Sequence, residues 1–387
     1  MSTRAGGAVR RMIRLRRPPS RGGGGSSRGP TYGPVPGGRV AAMKQLPAPP
    51  PSTARAAPWV PPRPGGRAIR LLRLLTIAAC LPYLALKLAW IGGSDLGIPA
   101  GSELLDPESQ TLLRLGNGLT VLMDGAVVGL ALLLTRPWGE RVPTWLLALP
   151  MWLATGLLAP IMVAFPAQMV AGAGSAEAPE TREFLDPWVF GVVYGGFLVQ
   201  GLALGGLFVP YARRRWGVLW RGRLGELPET ARSPALRAMA LAAALLALAP
   251  LAAQLLWASG SAAGLSAARA EERNTDMYLA EGTGALFTLV GVAGLLLLAF
   301  RAGRGLRVAV PLAMAWTGSG VLTGWGGWMT FATLLPGTPG SGATLVMSLT
   351  YAGQMITGLL ILTAGGGFLA ERAARLAADD AGRWRTG

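Results

Sequence analysis

Residues 283–300 read TGALFTLVGVAGLLLLAF, eighteen residues without a charge. At about 1.5 Å of rise per residue, a helix of that length covers roughly 27 Å, close to the ~30 Å of hydrocarbon in a bilayer. Lipid offers no partner to a free backbone amide or carbonyl, so only helices and closed barrels cross it. An unbroken apolar run lacks the alternation of a lipid-facing barrel strand. Seven further runs of the same kind lie at 69–91, 117–135, 144–165, 187–210, 236–258, 307–333 and 344–370. The sequence therefore predicts an all-α integral membrane protein of about eight transmembrane helices.

Composition agrees. Hydrophobic residues make up 51% of the chain and charged residues 14%, about half the charged share of a typical soluble domain. What is missing narrows the chemistry. With no histidine, His-based acid–base catalysis, bis-histidine haem and most zinc or copper sites are excluded. Cys80 is the only cysteine, so a disulfide, a redox Cys pair or a thiolate cluster within one chain cannot form. No cofactor and no metal is expected. An enzyme is the less favoured class, because Asp124 is the only clearly intramembrane carboxylate and has no histidine to work with.

The formal charge of +17 invites a nucleic-acid reading, but its placement opposes it. Residues 1–68 form a Gly-, Pro-, Ser- and Arg-rich segment with no acidic residue, which reads as a disordered basic tail. Three readings of that tail stay open: a topogenic tail, a true start at Met43, or a lipid- or partner-binding arm. The remaining basic residues fall in alternate loops. Arg136 and Arg141 lie in one, Arg213, Arg214, Arg215, Arg221 and Arg223 in the longest, and Arg301, Arg304 and Arg307 in a third. The intervening loops at 92–116, 166–186 and 259–282 carry net charges of −3, −3 and −2. The positive-inside rule then puts both termini in the cytoplasm. It also divides the chain into the tail, a first four-helix half at 69–210, a basic loop at 211–235, a second half at 236–370 and a short tail at 371–387. Trp90, Trp138, Trp188, Trp257 and Trp328 fall near span ends, where indole rings favour the interface. The arginines of the long loop, interleaved with Trp216 and Trp220, suit contact with anionic phospholipids, and positive-inside anchoring explains them equally.

The second four spans resemble a diverged copy of the first. Gly139-Glu-Arg-Val142 matches Gly305-Leu-Arg-Val308, Lys87-Leu-Ala-Trp90 matches Gln254-Leu-Leu-Trp257, and Tyr194-Gly-Gly196 matches Tyr351-Ala-Gly353. An even number of spans per copy gives parallel repeats, an arrangement found in some transporters. The glycine pairs Gly125/Gly129, Gly191/Gly195, Gly201/Gly205 and Gly320/Gly324 predict close helix approach.

Charged and polar groups at membrane depth are the candidates for function. Lys87 and Asp124 sit within one or two turns of the same surface on adjacent spans. They read as a structural ion pair, as independently solvated charges, or as a substrate or proton-coupling site. Gln200, Gln254 and Gln354 are intramembrane amides that either bond helices together or line a crevice. The acidic loop clusters Glu103/Asp106/Glu108 and Glu177/Glu180/Glu183 read as solvated loop charge.

The stretch Leu84-Ala-Leu-Lys-Leu-Ala-Trp90 with Gly92-Gly93, together with heavy Ala, Gly, Arg and Pro usage, resembles multi-pass membrane proteins of actinobacteria. That resemblance implies a bacterial plasma membrane and brings no activity with it. Two functional expectations follow from the residues. The first is a crevice between the halves that binds or transports a small solute or lipid through Lys87, Asp124, Gln200 and Gln354. The second is a non-catalytic scaffold that recruits a protein partner through the arginine-rich tail and loops.

Overall fold

The structure is a computed structural model that describes residues 66–100, 102, 107–172, 185–228, 233–334 and 342–386, all within the body Pro61–Gly387. The basic tail and both acidic loop clusters lie outside the residues whose side chains are described. Nine α-helices are present among the described residues: α1 Gly66–Ile91, α2 Pro107–Thr135, α3 Thr144–Gly172, α4 Pro187–Trp216, α5 Pro234–Ala258, the short α6 Ala267–Glu271, α7 Thr275–Phe300, α8 Ala309–Leu334 and α9 Leu345–Thr386. Seven of them are long and apolar enough to cross a bilayer, and the chain is an integral membrane protein.

Helix ends overrun the expected spans where the sequence turns polar. α7 begins at Thr275, capped by the Asn274 side chain accepting from Met277 N, and carries Asp276 in its first turn where the helix dipole favours it. α9 continues to Thr386, so residues 371–386, expected as a tail, extend a helix. Its Ala/Leu/Arg-rich composition favours helix, and Arg375 pairs with Glu371 one turn away at 3.6 Å.

The four long helices of each half pack in one cyclic order. α1 lies beside α2 and α4, and α3 beside α4; α5 lies beside α7 and α9, with α8 between α7 and α9. The halves join where α3 meets α8 and α7. α8, the long helix outside those seven, is uncharged, and glycine, threonine and tryptophan occupy much of it. Those small residues pack rather than face lipid. A side chain at Gly320 would strike the backbone of Trp152 and Gly156 on α3, one at Gly318 the backbone of Gly291 on α7, and one at Gly326 the backbone of Tyr351 on α9. Of the four expected glycine pairs, Gly320/Gly324 faces a neighbouring helix throughout; Gly125, Gly129, Gly191, Gly195 and Gly205 have open space before them, and Gly201 meets a Met162 side chain.

The loops after α1 and α5 are built alike. Trp90 Nε1 donates to Leu96 O at 2.8 Å, and Trp257 Nε1 to Ala263 O at 2.9 Å. Leu96 N bonds Ser94 Oγ, and Ala263 N bonds Ser261 Oγ. Gly97 and Gly264 both take positive φ, 75° and 79°, which favours glycine. Each also lies against a valine at the start of the fourth long helix of its half, Val189 and Val346. Trp90 and Trp257 are thus buried loop clamps, 6% and 1% exposed, rather than interface anchors. Trp138, Trp188 and Trp328 stay exposed. Trp145 is exposed as well, while Trp152 is buried and donates to Ser319 Oγ at 2.9 Å.

Arginines knit the other set of loops together. Arg215 donates to Gly139 O, Val142 O and the Tyr211 hydroxyl, which itself donates to Gly139 O. Arg301 donates to Leu227 O and Pro228 O, and Arg372 to Arg221 O. The segments at 222–225 and 304–308 exchange backbone hydrogen bonds around an Arg223–Arg307 bridge.

Candidate functional site

The packing difference between the halves creates the site. In the second half α7 and α8 close glycine on glycine. In the first, α3 carries Pro150, Pro160 and Pro166, crosses to α8 and touches α2 little. A proline leaves a carbonyl of the preceding turn without its helical partner, and neighbouring helices re-satisfy such groups in membranes. Pro160 in this way leaves Gly156 O without its helical donor, and the next carbonyl, Leu157 O, accepts from Trp325 Nε1 of α8 at 3.3 Å. The gap left between α2 and α3 is a cavity of about 430 Å³, walled by α1, α2, α3, α4 and α8.

Asp124 stands in that wall, ten residues beyond Arg114 along α2. It is 4% exposed. Its Oδ1 accepts from Gln200 Nε2 at 3.4 Å, a long bond, while its buried Oδ2 has no hydrogen-bond partner. Gln200, 1% exposed, also donates to Cys80 Sγ at 3.0 Å, and Cys80 donates to Thr76 O. Neutral polar groups of α1 and α4 therefore hold the amide in place, and the amide touches one carboxylate oxygen. Apart from the Thr120 hydroxyl, the rest of the wall is mainly hydrocarbon and aromatic, with Leu153, Leu157 and Ile161 beside Tyr83, Tyr194, Phe197, Trp325 and Trp328. Tyr194 stacks on Phe165 at 5.5 Å, and Phe197 meets Tyr83 edge-on at 5.1 Å.

Lys87 does not line this cavity. Its Nζ donates to Asn117 Oδ1 at 2.8 Å and lies over the rings of Tyr83 and Trp90 at 4.7 and 4.9 Å. No ion pair joins it to Asp124 among the described residues. A neutral acceptor and two π faces hold the ammonium directly, and Asp124 acts on it only through space. The buried Asn117 Nδ2 is left without a partner.

Gln254 and Gln354 lie elsewhere. They border a second cavity of about 280 Å³ between the halves, with Glu281, Arg269 and Tyr351. Gln254 Oε1 accepts from Thr288 Oγ1 at 3.1 Å, and its amide fills the space left by Gly284, so here it bonds helices together. Tyr194, Ile161 and Trp325 belong to the walls of both cavities. Among the arginines expected at lipid, Arg213 and Arg214 are exposed. Arg221 and Arg223 border a hollow of about 230 Å³ together with Arg372, Glu226 and Glu371. Arg215 differs, because its guanidinium is taken up by the three protein oxygens named above.

Sequence reading found Asp124 and Gln200 but not the aromatic wall, and placed Trp328 at the interface only. It counted Glu281 of α7 and Arg269 of α6 as loop charge, with Glu281-Gly282 as one possible match to Asp124-Gly125, and assigned neither to a cavity. The sole signal for Trp325 was an indole too deep within its helix for an interface. Among the described residues no group of three acids or thiols could hold a metal ion. Comparison with protein-family models, with curated proteins and with solved structures finds no match.

Proposed function

We propose that this chain is an eight-span plasma-membrane protein whose first four-helix half binds a small solute or lipid in the cavity at Asp124. The observation that carries this reading is the buried, unpartnered Asp124 Oδ2 in the wall of a 430 Å³ cavity within an apolar span. An intramembrane carboxylate is costly unless something completes it, and an apolar pocket with few convergent polar groups is the usual form of a small-molecule site. The position of this cavity modifies the expectation of a crevice purely between halves: it lies inside the first half and borrows one wall from α8.

Counting α8 as the eighth span is supported by its 26 residues, its lack of charge and its place between α3, α7 and α9. An even number of spans agrees with the loop charges, which favour both termini in the cytoplasm. Two parallel repeats are supported by the shared packing order and by the twin loops, whose hydrogen bonds recur at a constant offset. On this reading the second copy lost its cavity when α7 and α8 closed on Gly291 and Gly318. A bacterial plasma membrane follows from the actinobacterial resemblance. The scaffold alternative rests mainly on the tail, outside the described residues.

The test is native mass spectrometry of the full-length chain released gently from its own membrane, compared with Ala126→Trp. Ala126 is an exposed lining residue of α2, so an indole there fills the cavity without displacing a packed side chain. A discrete non-protein mass on the unmodified chain that is lost in the variant is expected. The same mass on both chains would place the ligand elsewhere and remove the proposal.

A further inference from the structure

We infer that the occupant of the Asp124 cavity is a lipophilic amine, bound in its ammonium form by the free carboxylate oxygen and the surrounding aromatic faces. This rests on the cavity reading above and adds the ligand's chemistry to it.

The argument is one of complementarity. Gln200 offers Asp124 a neutral N–H on one oxygen only. The nearest basic side chain of the first half, Lys87, directs its Nζ to Asn117 and to two rings, and no Lys or Arg lines the cavity. An ammonium N–H donated to Oδ2, once the side chain turns that buried oxygen toward the cavity, would supply the missing hydrogen bond and the direct ion-pair partner that Lys87 replaces only through space, and charge-assisted bonds are about twice as strong as neutral ones. An anionic ligand would be repelled, and an apolar one would leave the carboxylate as it is. Tyr83, Tyr194, Phe197, Trp325 and Trp328 border the same space, and aromatic rings attract cations and repel anions at their faces; Tyr83 already carries Lys87 over its ring. Val127, Leu130, Leu153 and Leu157 supply a hydrocarbon surface for the body of the amine. A carboxylate set among rings and aliphatic side chains at mid-span selects a cation that carries its own apolar group over one that is strongly hydrated.

The full-length chain in phosphatidylglycerol nanodiscs is titrated calorimetrically with 3-phenylpropylammonium, with its uncharged isostere butylbenzene, and with 3-phenylpropanol, a neutral hydrogen-bond donor. The ammonium compound is expected to bind roughly tenfold or more tightly than either neutral compound. Asp124→Asn, which keeps the side-chain size, should bring it to their level, and Ala126→Trp should remove binding of all three. Neutral compounds that bind as tightly as the ammonium, or a preference that survives Asp124→Asn, would overturn the ligand class. Continued loss of binding in Ala126→Trp would in that case leave the cavity reading standing. If no compound binds, or if Ala126→Trp binds all three normally, both readings fall. Repeating the titration with phosphatidylethanolamine in the disc separates two sources of the same chemistry. Competition by the lipid assigns the ammonium to a headgroup, and unchanged affinity assigns it to a free amine; either supports the class.

Discussion

Asp124, buried, and Arg215, half-buried, show how differently two charges of one bundle are treated. Arg215 reaches two carbonyls and a hydroxyl at the end of α4, a use of the guanidinium fork that lysine cannot copy. Arg215→Lys is therefore expected to destabilise the fold by about 2–4 kcal/mol, read as thermal unfolding in detergent. Arg214→Lys, at an exposed neighbour, should stay within roughly 0.5 kcal/mol. Asp124 has one long hydrogen bond and one free oxygen. Gln200→Leu removes that one bond and should cost about 1–3 kcal/mol. Asp124→Asn removes a buried charge that has no direct ion-pair partner and should leave the unliganded melting temperature unchanged or higher. A clear drop in Asp124→Asn would mean that the carboxylate is already satisfied in the resting protein.

The decisive elements are α3 and α8. Their crossing depends on Gly156 against Gly320, where an added methyl has no room. Gly156→Ala should cost about 1–3 kcal/mol through overpacking, while Gly125→Ala, with open space before it, should be neutral or slightly stabilising because alanine favours helix. Thermal unfolding of both variants side by side checks this, and equal effects would contradict the crossing. The twin loops give a second comparison at this scale. Trp90→Phe and Trp257→Phe each remove one indole-to-carbonyl bond, and each should lower stability by about 1 kcal/mol. A large asymmetry between them would argue against equivalent loops.

For the whole molecule, the orientation read from loop charge has a direct consequence. In a Cys80→Ser background, Ser261→Cys should react with a membrane-impermeant maleimide on intact cells, and Arg304→Cys only after permeabilisation. The reverse pattern would invert the topology. Most of the architecture was legible beforehand, since hydrophobic runs and their flanking charges are local properties set by the cost of moving a backbone or a charge into lipid. Thr275–Gly282 and residues 371–386 escaped that reading because a helix can outlast the bilayer once its partners are polar. The likeness of the loops after α1 and α5 was visible only in fragments; the shared Trp-x-x-Gly-Ser-x-x-Gly pattern of residues 90–97 and 257–264 became meaningful only with its hydrogen bonds.

The sequence by itself determined that apolar helices span a membrane, that histidine chemistry and intrachain disulfides are excluded, and that Asp124 and Gln200 are unusual at their depth. Tertiary structure decided what those residues face. Lys87 and Asp124 lie on adjacent helices, yet Asn117 and two rings take up the lysine, and the carboxylate looks into a cavity instead. Spacing along a helix places a side chain on a face. Which neighbour occupies that face depends on how glycine contacts and prolines set the distance between helices far apart in the chain, and in the first half they held α3 away from α2.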